Sequence, residues 1–171
     1  MTSELTTQEG VTKAELFAGL SAQLRSLLES ERDFIANAAN LSSLLFYSLP
    51  DLNWSGLYIL RGEELVLGPF QGKPACVRIP LGQGVCGAAA NRQQTIIVDN
   101  VHDFPGHIAC DSASNSEIVV PLIKDGRLIG VLDVDSPSLA RFDDEDAQGL
   151  NEVAEIFLQA MPDSSSSESK L

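Results

Sequence analysis

The stretch Ile118-Val119-Val120-Pro121-Leu122-Ile123-Lys124-Asp125-Gly126-Arg127-Leu128-Ile129-Gly130-Val131-Leu132 decides the fold class. Two apolar, largely β-branched runs are joined by Lys124-Asp125-Gly126-Arg127, and an Asp-Gly pair suits the two positive-φ positions of a tight hairpin turn. Strands joined that closely are antiparallel. Pro121 has no N–H for a ladder, so its part of the strand is expected at a bulge or an edge. Upstream, Leu57-Tyr58-Ile59-Leu60 and Leu65-Val66-Leu67 flank Arg61-Gly62-Glu63-Glu64 as a second hairpin. Cys76-Val77-Arg78-Ile79 and Thr95 to Val98 read as short strands, with a short Ala-rich helix from Cys86 to Arg92 between them.

Helical patterns bracket this block. From Lys13 onward, Leu16, Leu20, Leu24, Leu27 and Leu28 recur at three- and four-residue steps, one apolar stripe. Ser30-Glu31-Arg32-Asp33 has capping-box spacing and opens a second helix to about Ser48, which Pro50 stops. Asp143 through Ala160 reads as a capped amphipathic helix, with Leu150, Val153, Ile156, Phe157 and Met161 on its apolar side. The order predicts an α+β domain, a central antiparallel sheet flanked by helices, over residues 13–161. Residues 1–12 and the Ser-rich tail 162–171 are polar and aperiodic, hence expected to be flexible or disordered.

With 171 residues the chain suits one domain, and 44% hydrophobic with 20% charged residues excludes collagen-like, coiled-coil or wholly disordered readings. Eleven Lys and Arg against 24 Asp and Glu leave a net charge of −13, a field that repels nucleic-acid phosphates and anionic lipid. No stretch approaches the roughly 20 apolar residues of a membrane span, and the opening MTSELTTQEG lacks the features of a secretory signal. The expectation is a soluble, cytoplasmic protein. The closing Ser169-Lys170-Leu171 has the form of a peroxisomal address, which carries meaning in a eukaryote alone.

Three cysteines, Cys76, Cys86 and Cys110, fit no secreted disulfide framework, so at least one thiol is free or cycling. Cys86 and Cys110 lie among the Gly, Asp and Ser of loops, where chemistry competes with a filler role. A zinc site from Cys76, Cys86, Cys110 and His107 is disfavoured, because His107-x-x-Cys110 alone has ligand-pair spacing; no metal is expected. Gly82-Gln83-Gly84-Val85-Cys86-Gly87 fits GxGxxG without the βαβ context of a dinucleotide site, so its glycines serve close approach of backbone to a ligand or another loop.

The densest polar cluster holds His107, Cys110, Asp111, Glu117, Asp133 and Asp135. Asp133 and Asp135 flank Val134 on one strand, so their carboxylates share a face and must bind a cation, share a proton or reach water. A solvated strand end is the alternative, and Glu117, entering a strand, reads on composition as an exposed rim charge. Trp54 and Tyr58, four apart, share a strand face, suited to core packing or to the wall of a small apolar pocket.

Taken together, Asn53-Trp54-Ser55-Gly56-Leu57-Tyr58, Leu67-Gly68-Pro69-Phe70-Gln71-Gly72, Ala75-Cys76-Val77-Arg78-Ile79-Pro80, Gly84-Val85-Cys86-Gly87, Gly106-His107-Ile108-Ala109-Cys110-Asp111, Ser114-Asn115-Ser116-Glu117-Ile118-Val119 and Gly130-Val131-Leu132-Asp133-Val134-Asp135-Ser136 resemble the free methionine-(R)-sulfoxide reductases, enzymes of a single GAF domain. The likeness runs from about Leu16 to Phe157. It implies that Cys110 attacks the sulfoxide sulfur and is left as a sulfenic acid. Cys76 or Cys86, with Cys76 favoured, would resolve it as a disulfide that thioredoxin reduces. No bound cofactor is implied.

Trp54 and Tyr58 would wall off the substrate's methyl group. A free amino acid brings an ammonium, and a departing sulfoxide oxygen must be protonated; Glu117, Asp133 and Asp135 supply the carboxyl groups for both tasks. Such a site would reject the same side chain within a peptide, whose nitrogen is an uncharged amide. The substrate carboxylate is expected on backbone N–H groups near Ile108 to Cys110. The competing expectation is a GAF module that binds a small ligand or senses redox state without turnover. Helix one and helix two, with the last helix, offer a face for a homodimer.

Overall fold

The computed structural model describes residues 10–108 and 112–162. In chain order the elements are α1 (Lys13–Leu28), α2 (Phe34–Ser48), β1 (Trp54–Arg61), β2 (Glu64–Gly72), β3 (Arg78–Pro80), α3 (Gly84–Arg92), β4 (Ile96–Val98), β5 (Ser116–Lys124), β6 (Arg127–Ser136) and α4 (Asp144–Ala160). The six strands form one sheet in the order β3-β2-β1-β6-β5-β4, every neighbouring pair antiparallel. Of the flanks 1–12 and 162–171, expected to be flexible or disordered, residues 1–9 and 163–171 lie outside the described residues, while Thr12 caps α1, its side chain accepting the Glu15 N–H.

Local chemistry explains the boundaries. Asp125 and Gly126 take φ values of 52° and 73°, the pair of positive angles that a tight β5–β6 turn requires. Pro121 sits beyond the last β4 partner, Val119, where β5 has become the sheet edge. The start of α2 departs from expectation: Asp33, not Ser30, is the N-cap, and its carboxylate accepts the Ala36 N–H. Asp33 immediately precedes the first helical residue, whereas Ser30 lies a turn too early to reach that donor. The third strand also begins later than expected. Cys76 stays in the loop, its carbonyl taken by the Tyr58 hydroxyl, and Val77 precedes the strand with its carbonyl on the Leu67 N–H of β2.

Strand alternation sorts the core into two layers. Leu57, Ile118, Val120, Leu122, Leu132 and Val134 face α1, α2 and α4 in the larger cluster. On the opposite face, Trp54, Tyr58, Val119 and Val131 pack with Val85, Cys86, Ala89 and Ala90 of α3. The helical layer is pinned by Asp146, whose side chain is 2% exposed and accepts from Lys13 Nζ at 2.6 Å and from Arg141 Nη1 at 3.2 Å. Arg141 in turn donates its backbone N–H to Ser116 Oγ, tying this anchor to the start of β5.

Removing Asp146 leaves the largely buried Arg141 guanidinium without its counter-charge. Asp146→Ala is expected to cost about 3 kcal/mol, read as a lowered urea midpoint. An unchanged midpoint would show that the triad contributes nothing.

Candidate active site

Register across the middle of the sheet assembles the site on the α3 side. Trp54 of β1 lies opposite Asp135 of β6, which lies opposite Glu117 of β5; one step along, Gly56 faces Asp133, which faces Val119. Residues two apart share a face, so Trp54, Asp133, Asp135 and Glu117 open into one cleft. Tyr58, Pro74, Ile79, Val85, Cys86 and His107 complete much of its lining. The enclosed space of the cleft is about 40 Å³, and it opens to solvent at its mouth.

The acids differ in depth. Glu117 is 7% exposed and Asp133 6%, while Asp135 is half-buried. Glu117 is therefore no rim charge: β4 and β6 flank it, and the Cys86 thiol, at the first turn of α3, donates to its Oε1 at 3.8 Å. Burial, then repulsion from Asp133 and Asp135, pushes the Glu117 carboxyl well above the usual carboxylate range. Burial raises Asp133 to about 6, opposed by hydrogen bonds from Cys86, Glu117 and the Val134 N–H. One Asp133 oxygen, Oδ1, is buried without a hydrogen-bond partner. Among the described residues no Lys or Arg lines the cleft, so protons take the place of counter-charges.

The aromatic wall is set from behind. Trp54 stacks on Phe70 at 5.3 Å and 13°, and on Tyr58 at 5.9 Å and 24°. Its indole Nε1 donates to the Lys73 carbonyl at 3.1 Å. The Tyr58 hydroxyl donates to the Cys76 carbonyl at 3.0 Å, so the wall and the cysteine loop are one assembly. Gly56 makes this possible, because a Cβ there would stand 2.4 Å from Phe70 Cβ and 2.6 Å from the Trp54 ring. Phe70 was not singled out by sequence reading, since the Gly56–Phe70 pairing that places it is a cross-strand register. Ser114 was missed too: it lines the cleft and accepts from Asn53 Nδ2 at 3.0 Å.

The cysteines fall into different states. Cys86 is a buried free thiol, on a helix and not in a loop, and burial followed by the neighbouring Asp133 and Glu117 pushes its pKa up. Cys76, half-buried in the loop before β3, is disulfide-bonded. Cys110, the expected nucleophile, lies outside the described residues with Ala109 and Asp111. His107 is at the cleft, its ring 6.4 Å from that of His102, and burial lowers its pKa.

A disulfide removes Cys76 from any thiolate ligand set. Among the described residues, Cys86, Glu117 and Asp133 bring ligand atoms within 4.8 Å of one another. With the thiol held protonated, that trio is suited to storing and passing protons. Of the GxGxxG glycines, Gly87 alone meets the expected close approach, since a Cβ there would stand 2.5 Å from the Pro80 carbonyl oxygen; Gly82 has nothing near a Cβ, and it and Gly84 instead take positive φ values of 82° and 61°.

Residues 14–161 match the GAF domain family. The free methionine-R-sulfoxide reductase of Escherichia coli K12 is 53% identical over 143 residues, 84% of this chain and 87% of its own. The X-ray structure of the free methionine-R-sulfoxide reductase from Neisseria meningitidis, in complex with its substrate, is 46% identical with a TM-score of 0.85, covering 89% of this chain and 92% of that one. The reduced form of the Staphylococcus aureus fRMsr is 48% identical with a TM-score of 0.83, covering 91% and 99%.

Two measurements probe this geometry. Gly56→Ala should displace the indole, and because Trp54 is the one tryptophan in the sequence, its emission should shift to longer wavelength; an unmoved spectrum would refute the packing argument. Asp133, at about 6 when folded against 3.8 as its ordinary value, adds stability below about pH 4 that is lost as pH rises through about 6. Asp133→Asn should therefore be more stable than wild type at pH 7 by on the order of 2 kcal/mol, with the gap closing near pH 4. Urea titrations at both pH values decide it.

Proposed function

The chain belongs to the free methionine-R-sulfoxide reductase family of GAF domains, and we propose that it reduces free L-methionine (R)-S-oxide to L-methionine. The observation that carries this reading is one cleft where buried, proton-holding carboxyl groups meet an aromatic wall beside a disulfide-bonded cysteine loop.

In the proposed cycle the Cys110 thiolate attacks the sulfoxide sulfur. As the S–O bond breaks, a proton reaches the oxygen, methionine leaves, and Cys110 keeps the oxygen as a sulfenic acid. Glu117 suits the donor role because burial and its acidic neighbours hold its proton well above the usual carboxylate range, and Asp133, raised to about 6, holds its own in mildly acidic solution. Asp135, half-buried beside them, is assigned to the substrate's ammonium. Trp54 and Tyr58 offer their faces to the S-methyl group, which favours one epimer at a chiral sulfur. The substrate carboxylate is placed on backbone N–H groups near Ile108 to Cys110.

Resolution is assigned to Cys76: its thiol attacks the sulfenic sulfur, expels water and closes a disulfide with Cys110. What supports Cys76 over Cys86 is that Cys76 is disulfide-bonded while Cys86 stays a free thiol against Glu117. Thioredoxin then supplies two electrons through thiol–disulfide exchange, with no bound cofactor. Cytoplasmic residence and a homodimer through the outer helices belong to the same proposal; among the described residues no helix is long and apolar enough to cross a membrane.

NADPH oxidation coupled through thioredoxin and its reductase tests the reading. Turnover is expected with the free R epimer and not with the S epimer or an N-blocked R sulfoxide. Cys110→Ser should abolish it. Cys76→Ser should release about one methionine per enzyme and then stall with thioredoxin. Full activity in Cys110→Ser, or ligand binding without turnover in the wild type, would favour a sensing module instead.

A further inference from the structure

The loop from Gly72 to Arg78 presents an apolar side chain beside the disulfide-bonded cysteine. Of the large apolar side chains exposed among the described residues, Val77 is the most open, at 64%, and it follows Cys76 directly. Pro74 is exposed on the other side of the half-buried Ala75-Cys76 pair. Beyond Val77, the Arg78 guanidinium meets Glu64 at 3.0 Å, both side chains more than a third exposed, which gives the apolar patch a charged rim.

The loop is also held from within. Its Lys73, Cys76 and Val77 carbonyls accept from Trp54 Nε1, the Tyr58 hydroxyl and the Leu67 N–H at 3.1, 3.0 and 3.0 Å. A segment without regular secondary structure is thereby fixed, with Val77 turned outward. An apolar centre, a polar rim and a fixed backbone are the ingredients of a protein-binding patch with little ordering cost.

We propose that residues 74–78, centred on Val77, are the docking surface for the protein dithiol that regenerates the enzyme, and that its thiolate attacks Sγ of Cys76. This rests on the reductase reading, because a disulfide formed in each cycle must be reached by a thiol partner. The attack forms a mixed disulfide on Cys76 and breaks the existing S–S bond, whose electron pair leaves on the other cysteine sulfur and takes up a proton. The partner's second thiolate then attacks the partner sulfur of the mixed disulfide, releasing Cys76 as a thiol after protonation. The partner ends as a disulfide and two electrons have moved.

The test follows reduction of the oxidised full-length protein directly, by thiol alkylation and mass, so it does not depend on sulfoxide turnover. Reduced thioredoxin and dithiothreitol are compared on wild type, Val77→Asp and Val77→Ile. Val77→Asp should lower the second-order rate constant with thioredoxin about tenfold, about 1.4 kcal/mol, leave the dithiothreitol rate unchanged, and be rescued by Val77→Ile. An unchanged thioredoxin rate, or equal slowing with both reductants, overturns the docking role. A thioredoxin with its second active-site cysteine replaced by serine should be trapped on Cys76 in a peptide map; trapping on Cys110 overturns the assignment of the attacked sulfur. Absence of sulfoxide turnover in a protein that passes these tests would refute the reductase reading alone.

Discussion

Burying two carboxyl groups side by side costs free energy unless a proton or a cation settles their charge, and Glu117 and Asp133 meet that constraint with no lysine or arginine lining the cleft among the described residues. Protons therefore reside on these acids at pH values where exposed carboxyls have lost theirs. The rest of the site follows from keeping that arrangement dry and fixed. The first turn of α3 closes over Glu117 with the Cys86 thiol, Trp54 and Tyr58 shield one side, and the helical layer on the reverse of the sheet holds the strand register that brings the acids together.

The wall and the cysteine loop are mechanically one object. Trp54 and Tyr58 each contribute a ring to the cleft and a polar tip to the loop before β3, so the groups that would touch a substrate's methyl also set where Cys76 sits. Phe70 and Gly56 act further back: one supports the indole and the other vacates the space it needs. Through these contacts the burial of a single indole couples the shape of the cleft to the position of a sulfur atom.

Features that repeat along the chain were legible in the sequence. Period-two alternation put Asp133 and Asp135 on one face, Asp125-Gly126 marked the β5–β6 turn, and the leucine stripe marked α1. Features made by register were not. Glu117 looks like a rim charge in Asn115-Ser116-Glu117-Ile118, and it is buried because β4, β6 and α3 meet around it, which no local pattern encodes. Cys76 carries a strand-like residue type, yet the Tyr58 hydroxyl, far away in sequence, takes its carbonyl and holds it in a loop. Ser30 and Asp33 both suit a cap, and position relative to the first helical turn chose Asp33. The named family came from short strings scattered over much of the chain, matched as a set.

The two apolar clusters on opposite faces of the sheet share strands but divide their side chains, with the cleft on the α3 side. The outer helical layer therefore bears on the cleft through strand register. Substitutions at exposed positions of α1 or α4 leave the shape of the cleft unchanged as long as strand register survives. An engineer can treat that face as a handle for immobilisation, leaving the opposite face open to solution.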